Sequence, residues 1–298
     1  MKAMLTIFTP SYNRAYVLYK CYESLKRQTN KNFEWLIIDD GSTDNTKELV
    51  KEWIKQNNGF NIRYIYQKNQ GMHGAHNTAY ENINTELNVC IDSDDYMPYD
   101  AVEKIISFWS KNKRDDLAGF MGLDAYKNGE VIGEKFPKSL RETTLFELNN
   151  NLKIRGDKKI VYRTELTKEY KYPIFEGEKY VGLAYKYYKI DLNYKLAVTN
   201  DVLCIVEYME DGSSKNMLNQ YRKNPKGFSF YRIENINNPN ASLKFKFKEY
   251  IHYISSSLIS KNRSFLRNLP NKFLALLALP LGLALYIYII KNTSDSTC

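Results

Sequence analysis

Cysteine is scarce in this sequence. Its four copies, Cys21, Cys90, Cys204 and Cys298, lie far apart and form no Cys-x-x-Cys pair. That excludes a disulfide framework and a zinc site, and it suits a reducing compartment. There is no Gly-x-Gly-x-x-Gly, which excludes a dinucleotide-binding dehydrogenase. No signal peptide is evident: the one apolar run at the amino terminus, Met4 to Phe8, is short and stops at Pro10. The expectation is a catalytic part held in the cytoplasm. Internal repeats are absent as well.

What is present describes a folded domain. Hydrophobic residues make up 43% of the chain and charged residues 26%, enough for a sizeable core and unlike a disordered chain. A length of 298 residues fits one large α/β domain, or a medium domain with an appendage. The formal net charge of +9 favours anionic partners: nucleic acid, a phospholipid surface or phosphorylated small molecules.

The first hundred residues alternate between two hydrophobic periods. Residues 4–8, 34–39, 62–67 and 87–91 read as short strands apolar on both faces. Helical spacing fills the gaps over 15–28, over 45–56 with Asp44 as N-cap, and over 75–83. Strand–helix alternation predicts right-handed crossovers and a parallel sheet. Pro98 opens another amphipathic helix with Val102, Ile105, Ile106 and Trp109, and 117–122 reads as a strand. Asn128-Gly129 predicts a hairpin with a type I′ turn. Residues 143–210 mix strands and helices in no legible order, and "NNPNAS" (237–242) marks a boundary.

Ligands bind beyond the carboxyl ends of such strands. Four polar loops stand there: "TPSYNRA" (9–15), "DDGSTDNT" (39–46), "QKNQGMHGAHN" (67–77) and "DSDDYMP" (92–98). Crowded carboxylates repel one another, so Asp92, Asp94 and Asp95 make most sense around a hard divalent cation, Mg²⁺ or Mn²⁺. Few protein oxygens would leave coordination positions for a diphosphate. A solvated acidic turn capping the next helix is the plainer alternative. A calcium loop fails, because Met97 stands where glycine is required and a strand precedes the loop. Asp40, with Asp39 second, is placed to accept from a base or a ribose hydroxyl.

"TIFTPSYNRA", "IIDDGSTDNT" and "CIDSDDYMP", in this order, resemble the nucleotide-binding half of family 2 glycosyltransferases with the GT-A fold. The resemblance implies a Rossmann-like α/β half with a mostly parallel central sheet and helices on both faces. It makes Asp40 a contact to uracil or another base, and it gives Asp92 and Asp94 to ribose and metal, with Asp95 open. Ser93 lies between them. Thr9, Pro10, Tyr12 and Asn13 would line the nucleotide pocket beside Asp39 and Gly41. The third loop departs from the family's pattern: His76 replaces an arginine, and Asn77 is retained. His73 and His76 are expected to donate hydrogen bonds to the diphosphate, with a buried structural role the alternative for His73. An inverting transfer needs a carboxylate opposite the leaving diphosphate. The stretch that matches is "YPIFEGEKYVG" (172–182), which gives Glu178 first and Glu176 second, against the plainer reading of both as surface acids. Asp157 in "IRGDKK" resembles an acceptor-pocket element. Tyr180, Tyr185, Tyr187 and Tyr188 are read as packing residues before sugar platforms.

The segment "FLALLALPLGLALYIYII" (273–290) holds eighteen residues without a charge. As a helix it would be roughly 27 Å long, just short of a ~30 Å hydrocarbon core. Seven basic residues fall within 244–272 and only Lys291 follows, an asymmetry that suits a span, a re-entrant segment or an interfacial anchor on the cytoplasmic face. The alternative is a buried helix of a soluble dimer. The sequence therefore divides into 1–98 for the nucleotide-sugar, 99–236 for the acceptor, and 237–298 as a basic, hydrophobic helical region. The expected partners are a nucleotide-diphosphate sugar, a lipid-linked saccharide, the membrane surface through residues 264–291 and a second copy in a homo-oligomer, with nucleic acid set aside. Two rivals remain. A sugar-nucleotide pyrophosphorylase needs a glycine-rich loop where "TPSYNRA" has none, and a non-catalytic sugar-nucleotide sensor or membrane scaffold would keep the acidic loop without a working base.

Overall fold

The computed structural model describes residues 3–207 and 217–293. The chain divides into two compact units, Met1–Lys171 with Lys186–Met209, and Tyr172–Tyr185 with Glu210–Cys298. The expected boundary at 237–242 is instead a loop between two helices of the second unit.

The first unit opens with the alternation the sequence predicts. Strands β1 (Leu5–Ser11), β2 (Phe33–Asp39), β3 (Asn61–Tyr66) and β4 (Leu87–Cys90) are joined by α1 (Ala15–Lys26), α2 (Thr46–Ile54) and α3 (Met72–Asn82). β1 pairs in parallel with β2 and β4, and β2 with β3. Helix α3 starts three residues ahead of expectation, because Gly71 at φ 81° turns the chain directly into it. The inner strands are apolar on both faces because helices cover both. Trp35 on β2 is fully buried, and Tyr22 of α1 stacks on Trp53 of α2 with ring centroids 4.3 Å apart. Such a pair contributes about 1 kcal/mol beyond its buried area.

After α4 (Ala101–Asn112) come β5 (Leu117–Ala125), β6 (Glu142–Thr143), α5 (Leu145–Glu147), β7 (Lys158–Arg163), α6 (Thr164–Glu169), α7 (Ala184–Ile190) and β8 (Lys195–Ile205). The eight strands are ordered β3-β2-β1-β4-β7-β5-β8-β6. Strand β7 runs antiparallel between β4 and β5. Its first residues therefore lie at the edge where β4 and β5 end. The turn at 126–129 is not type I′: Asn128 keeps a negative φ, and only Gly129 is left-handed, at 87°. With Gly129 N–H donating to Tyr126 O, this is a type I turn closed by a glycine bulge.

In the second unit, α8 (Met217–Lys223), α9 (Pro225–Asn237), α10 (Leu243–Ile259) and α11 (Lys272–Asn292) follow in order. Ser242 caps α10 and Asn271 caps α11 through side-chain oxygens. Glu249 of α10 is buried and neutralised by Arg232 of α9 at 2.9 and 3.0 Å, with Asn235 donating at 2.9 Å.

Candidate active site

The four polar loops meet at the carboxyl edge of the first unit's sheet, and hydrogen bonds knit three of them together. Asn13 adopts the left-handed conformation, φ 53°, which asparagine tolerates better than most residues. There its N–H donates to Ser42 Oγ at 2.9 Å and its Oδ1 accepts from Thr43 N–H at 2.7 Å. Asp44 accepts from Ala15 N–H at 3.0 Å and Thr46 N–H at 3.1 Å, so one carboxylate caps both α1 and α2. Burial would raise its pKa, but these bonds and that from the Thr46 hydroxyl win and lower it.

Asp39 and Asp40 are buried, and their oxygens are engaged by the protein. Asp39 accepts from Ser42 N–H and the Tyr64 hydroxyl. Asp40 accepts from Gln67 Nε2 at 2.7 Å, Gln70 N–H at 2.8 Å and Gly71 N–H at 2.8 Å. It thereby organises the third loop. Gly41, φ 86°, allows that approach: a Cβ there would lie 2.9 Å from the Asn69 nitrogen.

The acidic turn alternates. Asp92 and Asp94 are half-buried at the edge, whereas Ser93 and Asp95 are buried. Asp95 accepts from Glu207 N–H at 3.2 Å and from the Cys204 thiol at 3.8 Å. Burial pushes its pKa up to about 7. Asp95 therefore ties the turn to β8, whereas Asp92 and Asp94 have the half-buried positions at the edge. Among the described residues no group of three or more His, Cys, Asp or Glu side chains is arranged to hold a metal. Asp92 and Asp94 alone supply two carboxylates, the hard oxygen chemistry of Mg²⁺ or Mn²⁺, with fewer ligands than a closed cage.

His73 and His76 lie on the buried side of α3. Both are about 1% exposed. His76 packs edge-on against Phe8 at 5.1 Å, its Nδ1 lies 3.3 Å from Tyr80 Oη and its Nε2 3.8 Å from Cys90 Sγ. Burial pushes its pKa down to about 3 and keeps the imidazole neutral. Thr9 likewise faces the core, accepting from Trp35 Nε1 at 3.0 Å. Tyr12 is half exposed, Pro10, Gly41 and Asn77 are half-buried, and Asp157 sits in an exposed loop ahead of β7.

Sequence reasoning missed Lys159 and Asp124. The antiparallel insertion of β7 brings Lys159 opposite Gly122 of β5, near Asp124 and the acidic turn. Burial alone would depress the ammonium's pKa, but Asp124, Asp95 and Asp92 outweigh it and hold it well above the ordinary value. Asp124 is 3% exposed, and burial pushes its pKa up to about 6. A lysine inside the carboxylate cluster offsets its repulsion. The only signal was the basic pair in "GDKK", uninformative without the strand order. A cavity of about 530 Å³, lined by Glu86, Trp109, Arg114 and Arg163 among others, lies at the opposite edge, where β4 begins.

In the second unit Glu178 is 7% exposed, and its oxygens accept from Lys226 N–H at 2.9 Å and Gly227 N–H at 2.8 Å, at the start of α9. Burial raises its pKa despite those bonds. Glu176 is exposed. Tyr180 stacks on Phe228 and Tyr185 packs edge-on against Phe230; in the first unit Tyr187 stacks on Tyr162 and Tyr188 meets Phe146. All four tyrosines have the packing partners expected of them.

Known proteins resemble this chain. The model for "Glycosyl transferase family 2" matches residues 6–171. Glycosyltransferase GlyA of Streptococcus pneumoniae is 30% identical over 148 residues, 48% of this chain and 21% of that protein. Chondroitin synthase of Escherichia coli is 36% identical over 109 residues, 37% of this chain and 16% of that protein. The chain thus spans only a minor part of the curated relatives it matches. The crystal structure of S. aureus TarS 1–349 in complex with UDP-GlcNAc aligns with a TM-score of 0.63 at 20% identity, covering 97% of this chain and 82% of that one. The mannosyltransferase PcManGT from Pyrobaculum calidifontis, in complex with GDP-Man and Mn2+, aligns with a TM-score of 0.55 at 17% identity, covering 99% and 77%. The fold is that of GT-A enzymes, and with more than half its length matched the chain belongs to glycosyl transferase family 2.

Proposed function

We propose that this protein is an inverting, metal-dependent glycosyltransferase. It moves one sugar from a nucleotide-diphosphate sugar, a UDP-sugar, to a hydroxyl of a lipid-linked saccharide at the cytoplasmic face of the membrane, during surface polysaccharide synthesis. The observation that carries the reading is the acidic turn: Asp92 and Asp94 stay at the loop edge while Asp95 is anchored inside.

Asp92 and Asp94 would hold Mg²⁺ or Mn²⁺. When bound, that ion supplies positive charge for the departing diphosphate. The chain's own residues do the rest. Lys159 balances the charge of the carboxylates around it, and the Asn13 and Asp40 networks fix the loops that receive the nucleotide. The acceptor oxygen attacks the anomeric carbon from the face opposite the diphosphate. The new C–O bond forms as the bond to the phosphate oxygen breaks, and the acceptor's proton goes to a carboxylate. We assign that carboxylate to Glu178, with Glu176 as the alternative. Burial raises the proton affinity of Glu178, and two backbone N–H groups fix its orientation.

Sugar-nucleotide turnover with Mn²⁺ tests the proposal, with Glu178→Gln and Glu176→Gln assayed beside the wild type. Losing a general base lowers turnover by about 10²–10⁴. The expected pattern is that loss in Glu178→Gln with nucleotide affinity retained. No turnover of any sugar nucleotide by the wild type, with binding intact, would favour a sensor.

A further inference from the structure

Helix α11 is apolar all round, with a mean hydropathy of 2.4 over its central window, yet only 22% of that window is buried. A helix of this kind needs cover on every side. One side has it. Ala275, Ala278, Gly282 and Ile289 are buried, and Gly282 brings α11 so close to α10 that a Cβ there would lie 2.7 Å from Ile254 Cβ. Among the described residues nothing covers the opposite side. Phe273 and Leu276 are 68% exposed, and Leu277, Leu281, Ile287 and Tyr288 continue the same stripe at helical spacing.

Both ends of α11 are tied into the second unit. At its start, Asn271 N–H donates to the Tyr250 hydroxyl at 3.0 Å. At its end, Arg222 donates to Ile290 O at 3.1 Å and Thr293 O at 2.6 Å. A spanning α11 would carry α10 into the hydrocarbon beside it, along with the Arg232–Glu249 pair and the basic start of α10.

Charge identifies the cover. From Leu243 to Thr293 the sequence holds eight basic residues and one acid, Glu249. That acid is buried against Arg232. Lys261, Arg263 and Arg267 are exposed in the turn leading to α11, beside the exposed Leu266. A second copy would bring like charge to like charge. An anionic surface would not.

We propose that the second unit docks flat on an anionic lipid surface through the Phe273–Tyr288 face of α11, with Lys261, Arg263 and Arg267 among the headgroups. The helix lies in the plane of the interface and does not cross the bilayer. This deepens the membrane-side reading above and rests on it for its setting.

Co-sedimentation of the full chain with phosphatidylcholine vesicles, with and without phosphatidylglycerol, tests the docking. Each basic contact adds roughly fivefold to binding of anionic vesicles, so Arg263→Gln with Arg267→Gln should lower it about 25-fold while leaving binding to neutral vesicles unchanged. Leu276→Glu with Leu281→Glu should abolish both, with hydrogen exchange in α10 as the check on folding. Equal binding to neutral and anionic vesicles would overturn the charge assignment. A stable dimer without vesicle binding would give the face to a second copy. For Lys291→Cys with Cys298 replaced by serine, protection from an impermeant maleimide outside the vesicles would mean a span. Sugar-nucleotide turnover by the wild type on the same samples separates the two proposals: no binding to either vesicle with turnover intact sinks this one alone.

Discussion

Gly282 offers two outcomes of opposite sign. In an isolated apolar helix, Gly282→Ala is stabilising by about 1 kcal/mol, because alanine loses less backbone entropy. In the packed arrangement, the new Cβ would stand 2.7 Å from Ile254 Cβ and Cγ2 and 3.1 Å from Ile251 O. Carbon contacts settle near 3.5–4.0 Å, so α10 and α11 must separate by about 1 Å, forfeiting a quarter to a half of the dispersion at the contact. Overpacking of this kind costs about 1–3 kcal/mol, which the propensity gain only partly offsets. A net loss of about 1 kcal/mol is expected for alanine, and at least about 3 kcal/mol for Gly282→Leu. All three tryptophans, Trp35, Trp53 and Trp109, lie in the first unit, so fluorescence is blind to this change. Hydrogen exchange of α10 peptides sees it. Alanine should speed exchange about fivefold and leucine more than about a hundredfold if α10 opens locally. Unchanged or slower exchange in both variants would refute the packing, and with it the argument against a span.

The first unit allows two further stability tests. Asp44→Ala removes the caps of α1 and α2 together and should destabilise that unit by about 2 kcal/mol at neutral pH. Because the folded pKa of Asp44 is lowered, the wild-type advantage is present above its unfolded pKa and fades as pH falls through the folded value; tryptophan-monitored urea unfolding follows it. Asp191 is the opposite case. It is 6% exposed, Phe146 N–H donates to it at 2.8 Å, and burial pushes its pKa up to about 7. Its contribution is intact below the unfolded pKa and is lost as pH rises through 7, by on the order of 4 kcal/mol when fully ionised. Asp191→Asn should flatten that decline between pH 5 and 8; an equally steep decline in the variant would refute the assignment.

The sequence displayed the strands, crossovers and acidic loops because each is a local pattern: an apolar run, a helical stripe, an Asp-x-Asp. What depended on strand order was hidden. Nothing in "KKIVYR" announces an antiparallel strand between β4 and β5, so Lys159 was invisible as the countercharge of Asp92 and Asp95. The inward turn of Asp95 was half legible, since it has the opposite parity to Asp92 and Asp94. His73 and His76 read as polar loop residues because α3 begins ahead of its apolar stripe. Helix α11 showed its length and apolarity, but a helix apolar on every face does not reveal which face is covered.

We assign Asp92 and Asp94 to the ligand and Asp95 to the fold. Titration of UDP into the wild type, Asp92→Asn, Asp94→Asn and Asp95→Asn, with and without Mn²⁺, tests that assignment directly. Mn²⁺ should tighten binding in the wild type and in Asp95→Asn and do little in the other two. Equal loss in all three variants, or none in Asp92→Asn and Asp94→Asn, would contradict it.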